Sequence, residues 1–266
     1  MPELPDVETF RRYLNATALH QVIARSEITD KRMLHGISAE TLQERLNGRR
    51  FESTCRHGKY LFTELDEHGW LLLHFGMTGE LHYGKTESGD PKYVSLLVRF
   101  DNDYTLAYCN KRRLGRIGLT DDPKAFIQDE GLGIDALDEA LDADRFVDLL
   151  AVRRGILKPA LMDQQCIAGI GNIYLDEILF QAGLHPGLKM EQLDEKSLRR
   201  LHRTMRRVLR VAIRHQARVD ELPRAYLLPH REAGGSCPRC GGTIRKQTIS
   251  GRSSYFCPTC QQKARH

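Results

Sequence analysis

Four cysteines near the C terminus form two Cys-x-x-Cys pairs. Cys237 and Cys240 make the first pair, 16 residues follow, and Cys257 and Cys260 make the second. This spacing is typical of a closed tetrahedral zinc site, in which thiolates fill every position and none is left for water. The sequence therefore predicts one structural zinc ion and a small finger that depends on the metal to fold.

The residues between the two pairs predict a β-hairpin. Residues 241–245 and 254–256 have the character of two short strands, and residues 250–253 form the turn between them. Arg252 is then at the tip of the hairpin, where it can bind a phosphate. The three other cysteines, Cys55, Cys109 and Cys166, have no partner by spacing and are expected to be small core residues.

Length and charge set the class of protein. The chain has 266 residues, 41% of them hydrophobic, with a formal net charge of +5. Such a chain can bury more than one core, which favours two domains. It has no run of 18 apolar residues and does not start with a signal-peptide pattern, so we expect a soluble, intracellular protein with no membrane contact.

The first residues after Met1 permit two interpretations. If Met1 is removed, Pro2 supplies a secondary amine next to the carboxylate of Glu3. An α-amino group titrates at about pH 7.7–8.0, so a fraction of it is unprotonated and nucleophilic at neutral pH. With a sugar aldehyde such an amine forms an iminium, which favours β-elimination. Glu3 could protonate the opening sugar ring. The alternative is an N-terminal arm leading into a first helix.

The rest of the N-terminal half predicts a β-sandwich or barrel with flanking helices. Short alternating segments separated by glycine, asparagine or aspartate turns suggest strands. These segments are 22–23, 52–55, 60–64, 70–74, 94–100 and 105–109.

Three stretches of this half each have a functional and a structural interpretation. Lys59 follows a glycine just before a strand and points either to a ligand or to solvent. Met77 lies on a glycine-flanked turn and is either a core residue or an exposed apolar tip. The cationic loop around Leu114, residues 111–116, is either solvated or a wedge for a base stack.

The C-terminal half predicts helices. Residues 121–150 suggest an acidic linker and a helix, and a glycine turn at 169–171 leads into an amphipathic helix that ends at Gly183. Amides at such a helix start can hold a phosphate, with Asn172 assisting. Further on, Leu198, Leu201, Met205, Val208 and Ala212 predict a buried stripe with arginines beside it, which either face solvent or contribute to a nucleic-acid footprint.

Together these motifs resemble the formamidopyrimidine-DNA glycosylase and endonuclease VIII family. The resemblance rests on the start PELPDVE, the GKY lysine, the HFGMTG turn, the RRLG loop, the KPALMDQ segment, AGIGNIYLDEILFQAGLHP and GRSSYFCPTCQ. The start is similar to the formamidopyrimidine branch. The resemblance spans nearly the whole chain.

The resemblance implies an α+β fold of two domains with DNA in the cleft between them. The expected parts are a catalytic β-sandwich with flanking helices (1–120), a linker and helix (121–150), a helix-two-turn-helix domain (151–228) and the zinc finger (229–266). The implied activity is a base-excision glycosylase with β,δ-lyase activity on abasic sites, acting on double-stranded DNA. We also expect a monomer in a bacterial cytoplasm.

The resemblance also implies the role of each site residue. Pro2 would be the Schiff-base nucleophile, Glu3 the general acid, Lys59 an aid to β-elimination, and Arg252 a phosphate ligand that assists δ-elimination. Met77 and Arg112 match residues that fill the gap left by a flipped nucleotide, which offsets part of the lost stacking. The other expected DNA contacts are Asp6, His74, Leu114, Arg153 and Asn172.

Departures from the family pattern leave the choice of base open. Asp6 replaces a longer glutamate, Leu114 replaces a phenylalanine, and residues 214–236 lack the longer glycine-rich loop of that branch. Oxidised purines are the first expectation, with oxidised pyrimidines or hydantoins as alternatives. A catalytically inactive zinc-finger protein that binds damaged DNA is the non-enzyme alternative.

Overall fold

The computed structural model describes residues 1–261, except for the side chain of Ser88. The chain divides into two compact units. The first holds residues 1–2 and 6–130, and the second holds residues 3–5 and the chain from Gly131 onward. The domain boundaries expected at 120, 150 and 228 stay predictions.

The first unit is built on two four-stranded antiparallel sheets. In chain order the strands are β1 (Ile23–Ile28), β2 (Phe51–His57), β3 (Tyr60–Leu65), β4 (Trp70–His74), β5 (Gly79–Lys85), β6 (Val94–Phe100), β7 (Tyr104–Asn110) and β8 (Arg116–Thr120). One sheet has the order β1-β6-β7-β5 and the other β2-β3-β4-β8. One core contains buried residues of both sheets, such as Leu61 and Leu73 from one and Leu96 and Val98 from the other. The predicted sandwich is therefore confirmed.

Three helices accompany these sheets. They are α1 (Leu4–Thr17), α2 (Ala39–Leu46) and α3 (Pro123–Asp129). Ser38 and Asp122 cap α2 and α3, each accepting a backbone hydrogen bond in the first turn. The sequence did not predict α2, β5 or β8. Strand β5 lies at a sheet edge and contains Gly84. Its buried and exposed residues therefore alternate only over the first four positions.

The second unit is mainly helical. Its helices are α4 (Ala143–Ala151), α5 (Leu157–Met162), α6 (Asn172–Ala182) and α7 (Glu195–Arg214), and a parallel pair joins β9 (Ile134–Asp135) to β10 (Ile167–Ala168). Short 3-10 turns span Met190–Gln192, Val219–Glu221 and Leu228–His230 in this unit, and Lys31–Met33 and Thr86–Ser88 in the first unit. The five residues of the predicted α7 stripe are all buried, which confirms that prediction.

Helix α6 corrects the expected amphipathic pattern. It begins and ends as predicted, with Gly183 in the left-handed conformation at φ 69°. However, eight of its eleven residues are buried, including the carboxylates Asp176 and Glu177. Its buried polar side chains form hydrogen bonds within the unit instead of facing water, so α6 is a central helix of the unit.

The first strand of the zinc-finger hairpin lies later in the chain than predicted, and the second begins two residues earlier. The two strands are β11 (Arg245–Ile249) and β12 (Arg252–Phe256), so residues 241–244 were wrongly assigned to a strand. Ser250 and Gly251 form the turn with positive φ angles of 47° and 75°. Arg252 is therefore the first residue after the tip. No helix of the described chain is both long and apolar enough to span a membrane.

Candidate catalytic centre, DNA contacts and zinc finger

The four finger cysteines form one compact cluster. Their sulfur atoms all lie within 4.8 Å of one another. The Sγ atoms of Cys237 and Cys260 are 3.8 Å apart, and those of Cys240 and Cys257 are 3.5 Å apart. A tetrahedral zinc with bonds of about 2.3 Å needs sulfurs about 3.8 Å apart, so the cluster fits one zinc ion with no open position. The ion is structural, since it holds both ends of the hairpin.

Glu3 is fully buried at the start of α6. Its Oε2 accepts hydrogen bonds from the backbone amides of Gly171 at 3.0 Å and Tyr174 at 3.1 Å, and its Oε1 accepts one from Ile173 at 2.8 Å. The first turn of a helix has unpaired amides and favours negative charge, so it holds this carboxylate in one position.

This arrangement corrects the interpretation of the glycine turn. The amides of Gly171, Ile173 and Tyr174 were expected to hold a phosphate, whereas they bind the carboxylate of Glu3. A Cβ on Gly171 would lie 2.2 Å from Glu3 Cδ, and one on Gly169, at φ 107°, would lie 2.6 Å from Leu4 Cδ1. The two glycines are therefore needed because the N-terminal residues pack directly onto this turn.

Asn172 links α6 to the finger. Its Nδ2 donates to the carbonyl oxygen of Ser253 at 3.0 Å, and its Oδ1 is buried with no hydrogen-bond partner among the described atoms. Ser253 follows Arg252, whose side chain is exposed. The contact fixes the start of β12, and with it the backbone of Arg252, against the helix that holds Glu3.

A buried ionic network reinforces the same attachment. Lys158, 1% exposed, donates from Nζ to Asp176 Oδ1 at 2.6 Å and to Ser254 Oγ at 2.7 Å. The other oxygen of Asp176 accepts from Arg231 Nε at 2.9 Å and from the backbone of Tyr255 at 3.1 Å. Sequence reasoning missed this network, although a carboxylate pair inside an otherwise apolar helix is a signal that could have found it.

Arg153 is already engaged within the second unit. Its Nη1 donates to Asp163 Oδ2 at 2.6 Å, and this hydrogen bond raises the pKa of the guanidinium. Arg252 and Asp163 both line a cavity of about 190 Å³ beside Lys158. The expected DNA contact of Arg153 stays a prediction, and it would require phosphate to compete with this carboxylate.

Lys59 lies in the two-residue loop of the β2–β3 hairpin. His57 pairs with Tyr60 across the turn, and Gly58 has φ 56°. A glycine at the first loop position is typical of a type II′ turn, so the backbone fixes the direction of Lys59, which is half-buried. Arg56 Nη1 donates to the Gly58 carbonyl at 3.1 Å and stabilises this turn.

A carboxylate supports the same turn from α1. Glu8 lies 3.4 Å from Arg56 Nε and is 2.9 Å from both Arg11 and Arg12. Burial opposes ionisation, but the hydrogen bonds from Arg11 and Arg12 lower the pKa of Glu8 to about 2. Glu8 is therefore charged at neutral pH.

The side chains of two other predicted site residues, Pro2 and Asp6, are both half-buried.

The structure brings the predicted gap-filling residues together on two paired turns. Thr78 Oγ1 accepts from the backbone of Arg112 at 2.9 Å, next to Met77 on the first turn and Leu114 on the second. A Cβ on Gly76 would lie 2.3 Å from the carbonyl oxygen of Leu114, so glycine permits this close approach. Met77 is 37% and Leu114 52% exposed, which rules out a core role for either.

His74 supports the first of these turns. Burial, followed by the positive charges of Arg116 and Lys59, lowers the pKa of His74 to about 4. Its neutral ring packs on Tyr60 with centroids 4.8 Å apart, and Nδ1 lies 3.4 Å from the backbone nitrogen of Gly76. It therefore orients the turn that bears Met77.

Family models match three consecutive parts of the chain. The formamidopyrimidine-DNA glycosylase N-terminal domain matches residues 1–117, its H2TH domain matches residues 132–221, and the zinc finger found in FPG and IleRS matches residues 234–263. A formamidopyrimidine-DNA glycosylase of Synechocystis is 32% identical over 99% of both chains, and one of Streptococcus pyogenes is 34% identical over 99% of both. The chain belongs to the formamidopyrimidine-DNA glycosylase family.

Solved structures of this glycosylase family agree with the fold of the chain. The Lactococcus lactis formamidopyrimidine-DNA glycosylase bound to DNA with an abasic site has a TM-score of 0.89, with 33% identity over 98% of this chain and all of that one. The same glycosylase with DNA containing a formamidopyrimidine lesion gives the same values. The fold class and the family predicted from the sequence are confirmed. The relatives named here are bacterial.

Proposed function

We propose that the chain excises oxidised purines from double-stranded DNA in base-excision repair and then cleaves the abasic site as a lyase. The observation that carries this proposal is the fixed carboxylate of Glu3, held by three amides at the start of α6. Such a buried carboxylate, one residue after a proline that becomes the N terminus when Met1 is removed, supports a catalytic role for the pair.

The proposed chemistry starts at the proline nitrogen. Pro2 attacks C1′ of the damaged nucleotide, and the C1′–base bond breaks with its electron pair leaving on the base, which takes up the proton that the proline nitrogen loses. Glu3 in its protonated form donates its proton to the ring oxygen as the C1′–O4′ bond opens to the iminium. The resulting iminium draws electrons from C2′, so loss of a proton there expels the 3′ phosphate. We assign assistance in this β-elimination to Lys59, and assistance in the following δ-elimination, which expels the 5′ phosphate, to Arg252.

The proposed DNA contacts lie on elements with fixed backbones. Met77, Arg112 and Leu114 occupy the paired turns and are exposed enough to enter a base stack. Asp6, His74, Arg153 and Asn172 complete the proposed set. Among them Asn172 and His74 act at least partly by positioning, since each holds a neighbouring loop or strand.

The proposed substrate bases are oxidised purines. Oxidised purines are favoured because a related glycosylase structure contains DNA with a formamidopyrimidine lesion, and another contains a carbocyclic 8-oxoguanine analogue. In this chain the segment after α7 packs inward: Tyr226 and Leu228 are buried, and the Leu228 amide donates to Glu177 at 2.8 Å.

We propose a monomer that works on DNA in the bacterial cytoplasm.

The test is single-turnover excision from a duplex containing 8-oxoguanine. We expect Glu3→Gln to slow base release at least a hundredfold, because it removes the proposed acid but keeps the shape of the side chain. Glu52→Gln, a surface change on β2, serves as the control. Base release by Glu3→Gln at the wild-type rate would show that Glu3 is not the general acid.

A further inference from the structure

Helix α7 has arginines along its entire outward side. Residues Leu198, Leu201 and Met205 face inward and are buried. The arginines occupy about a third of the circumference on the opposite side. They are Arg199, Arg200, Arg203, Arg206, Arg207, Arg210 and Arg214.

Within the described part of the chain, two of these arginines have local partners. Arg199 pairs with Glu195 at 2.7 Å and with Asp144, and Arg206 donates to backbone carbonyl oxygens that include that of Asp138 at 2.6 Å. The others have no ion pair within residues 1–261. We call four of them, Arg203, Arg207, Arg210 and Arg214, the arginine row. All four are exposed.

The arginine row lines a shallow recess of about 330 Å³. Among the described residues, Arg206 and His202 complete its lining, which contains no carboxylate. Like charges four residues apart destabilise a helix, and Arg203 with Arg207 and Arg210 with Arg214 are such pairs. The row therefore does not help the helix to fold. An anionic ligand would offset the repulsion.

We propose that the arginine row is a second DNA-binding surface that binds the phosphate backbone of a duplex. The row extends about 16 Å along α7, with neighbouring Cβ atoms about 5–6 Å apart. A duplex presents one negative charge per about 1.7 Å of its axis, so phosphates are available along the whole row. Guanidinium groups bind phosphate oxygens in pairs of hydrogen bonds. The proposal rests on the proposed function only in taking DNA as the ligand.

The composition of α7 favours duplex DNA over other polyanions. A protein partner would require an apolar or aromatic centre, and no large exposed hydrophobic residue occurs on α7. Single-stranded nucleic acid is bound by stacking on aromatic rings, and residues 195–214 contain no phenylalanine, tyrosine or tryptophan. Contacts to phosphates alone are independent of sequence and of damage. The row thus holds the protein on undamaged DNA.

The experiment measures binding to an undamaged 30-base-pair duplex as a function of salt. The test variant carries Arg203→Gln, Arg207→Gln and Arg210→Gln, since glutamine keeps both length and helix propensity. We expect the slope of log K against log salt to become shallower by about 0.9 per lost contact, or about 2.7 in all. Replacing the same three arginines with lysine should keep the wild-type slope.

A charge-matched control removes three arginines that already pair with carboxylates. Arg25, Arg45 and Arg218 lie next to Glu27, Asp121 and Glu221, and their glutamine variants should leave the slope nearly unchanged. An equal loss of slope in this control, or an unchanged slope in the test variant, would overturn the proposal.

Single-turnover excision at saturating enzyme separates this surface from the proposed catalytic centre. We expect the triple glutamine variant to release the base within about twofold of the wild-type rate. A large loss at saturation would contradict a separate surface. Failure of the wild type itself to excise any base would refute the proposed function, and the salt dependence would still test the row.

Discussion

At the scale of single residues, Glu177 makes the stability of the protein depend on pH. It is fully buried in α6, and burial raises its pKa from 4.5 to about 7, although hydrogen bonds from Gln181 and Leu228 oppose the shift. The stability that comes from its neutral form is complete below pH 4.5 and is lost as the pH rises through 7.

Glu177→Gln should remove this dependence. Between pH 5 and pH 8 we expect the free energy of unfolding of the wild type to fall by about 2–3 kcal/mol relative to the variant. Urea unfolding of both proteins at the two pH values measures it. A constant difference would mean that Glu177 does not titrate in this range.

Gly171 tests whether the position of Glu3 matters. In Gly171→Ala the new Cβ would lie 2.2 Å from Glu3 Cδ, so the carboxylate must move away from its amides. We expect base excision to fall at least tenfold and stability to fall by about 1–3 kcal/mol. Gly84→Ala is the matched control, since a Cβ there meets nothing within 4 Å. Equal activity of the two variants would show that the amide cap has no catalytic role.

Residues with a chemical signature could be predicted from the sequence, whereas residues defined by packing could not. The four cysteines were predicted from spacing alone, and the structure clusters their sulfur atoms. The use of the Gly171 amide was predicted wrongly, because its partner Glu3 is 168 positions away. Lys158 and Asp176, which are 18 positions apart, were missed although two carboxylates inside an otherwise apolar helix were a signal of buried partners.

At the scale of elements, the network around Asp176 attaches the finger hairpin to α6. Asp176→Asn deprives the buried charge of Lys158 and the half-buried charge of Arg231 of the carboxylate that both contact. Removing one partner of a buried pair costs about 3–5 kcal/mol, so we expect a loss of this size together with faster release of zinc to a chelator.

The matched control for this prediction is Asp144→Asn. It breaks the exposed pair with Arg199 and should cost less than about 1 kcal/mol. The measurements are urea unfolding and the rate of zinc release. If both variants were equally stable, the network would not be what attaches the hairpin.

Elements with a strong periodic pattern were predicted well. Helix α7 was predicted from its buried stripe, and Leu201 and Val208 are indeed 1% and 0% exposed. Strand β8 was missed because its first residue belongs to the cationic segment 111–116. Strand β11 was placed too early because Gly241 and Gly242 were taken as part of a strand. In both cases turn residues hid the start of the strand.

At the scale of the whole molecule, the N-terminal residues belong to two units. Pro2 is grouped with the first unit, whereas Glu3, Leu4 and Pro5 are grouped with the second. The proposed nucleophile and acid are adjacent in sequence, yet different parts of the fold hold them. The sequence predicted two domains. It did not reveal this division of the N-terminal residues, because the division depends on long-range packing of Leu4 into the helical core.

Borohydride trapping shows whether Pro2 is the nucleophile. Purified protein whose mass shows the loss of Met1 is incubated with duplexes carrying 8-oxoguanine, formamidopyrimidine, an oxidised pyrimidine, a hydantoin or an abasic site. We expect a covalent adduct with the oxidised purines and with the abasic site, and none with Pro2→Gly, because the adduct is the reduced iminium of Pro2. Trapping by Pro2→Gly at the wild-type level, or no trapping on any duplex, would show that Pro2 does not form the proposed Schiff base.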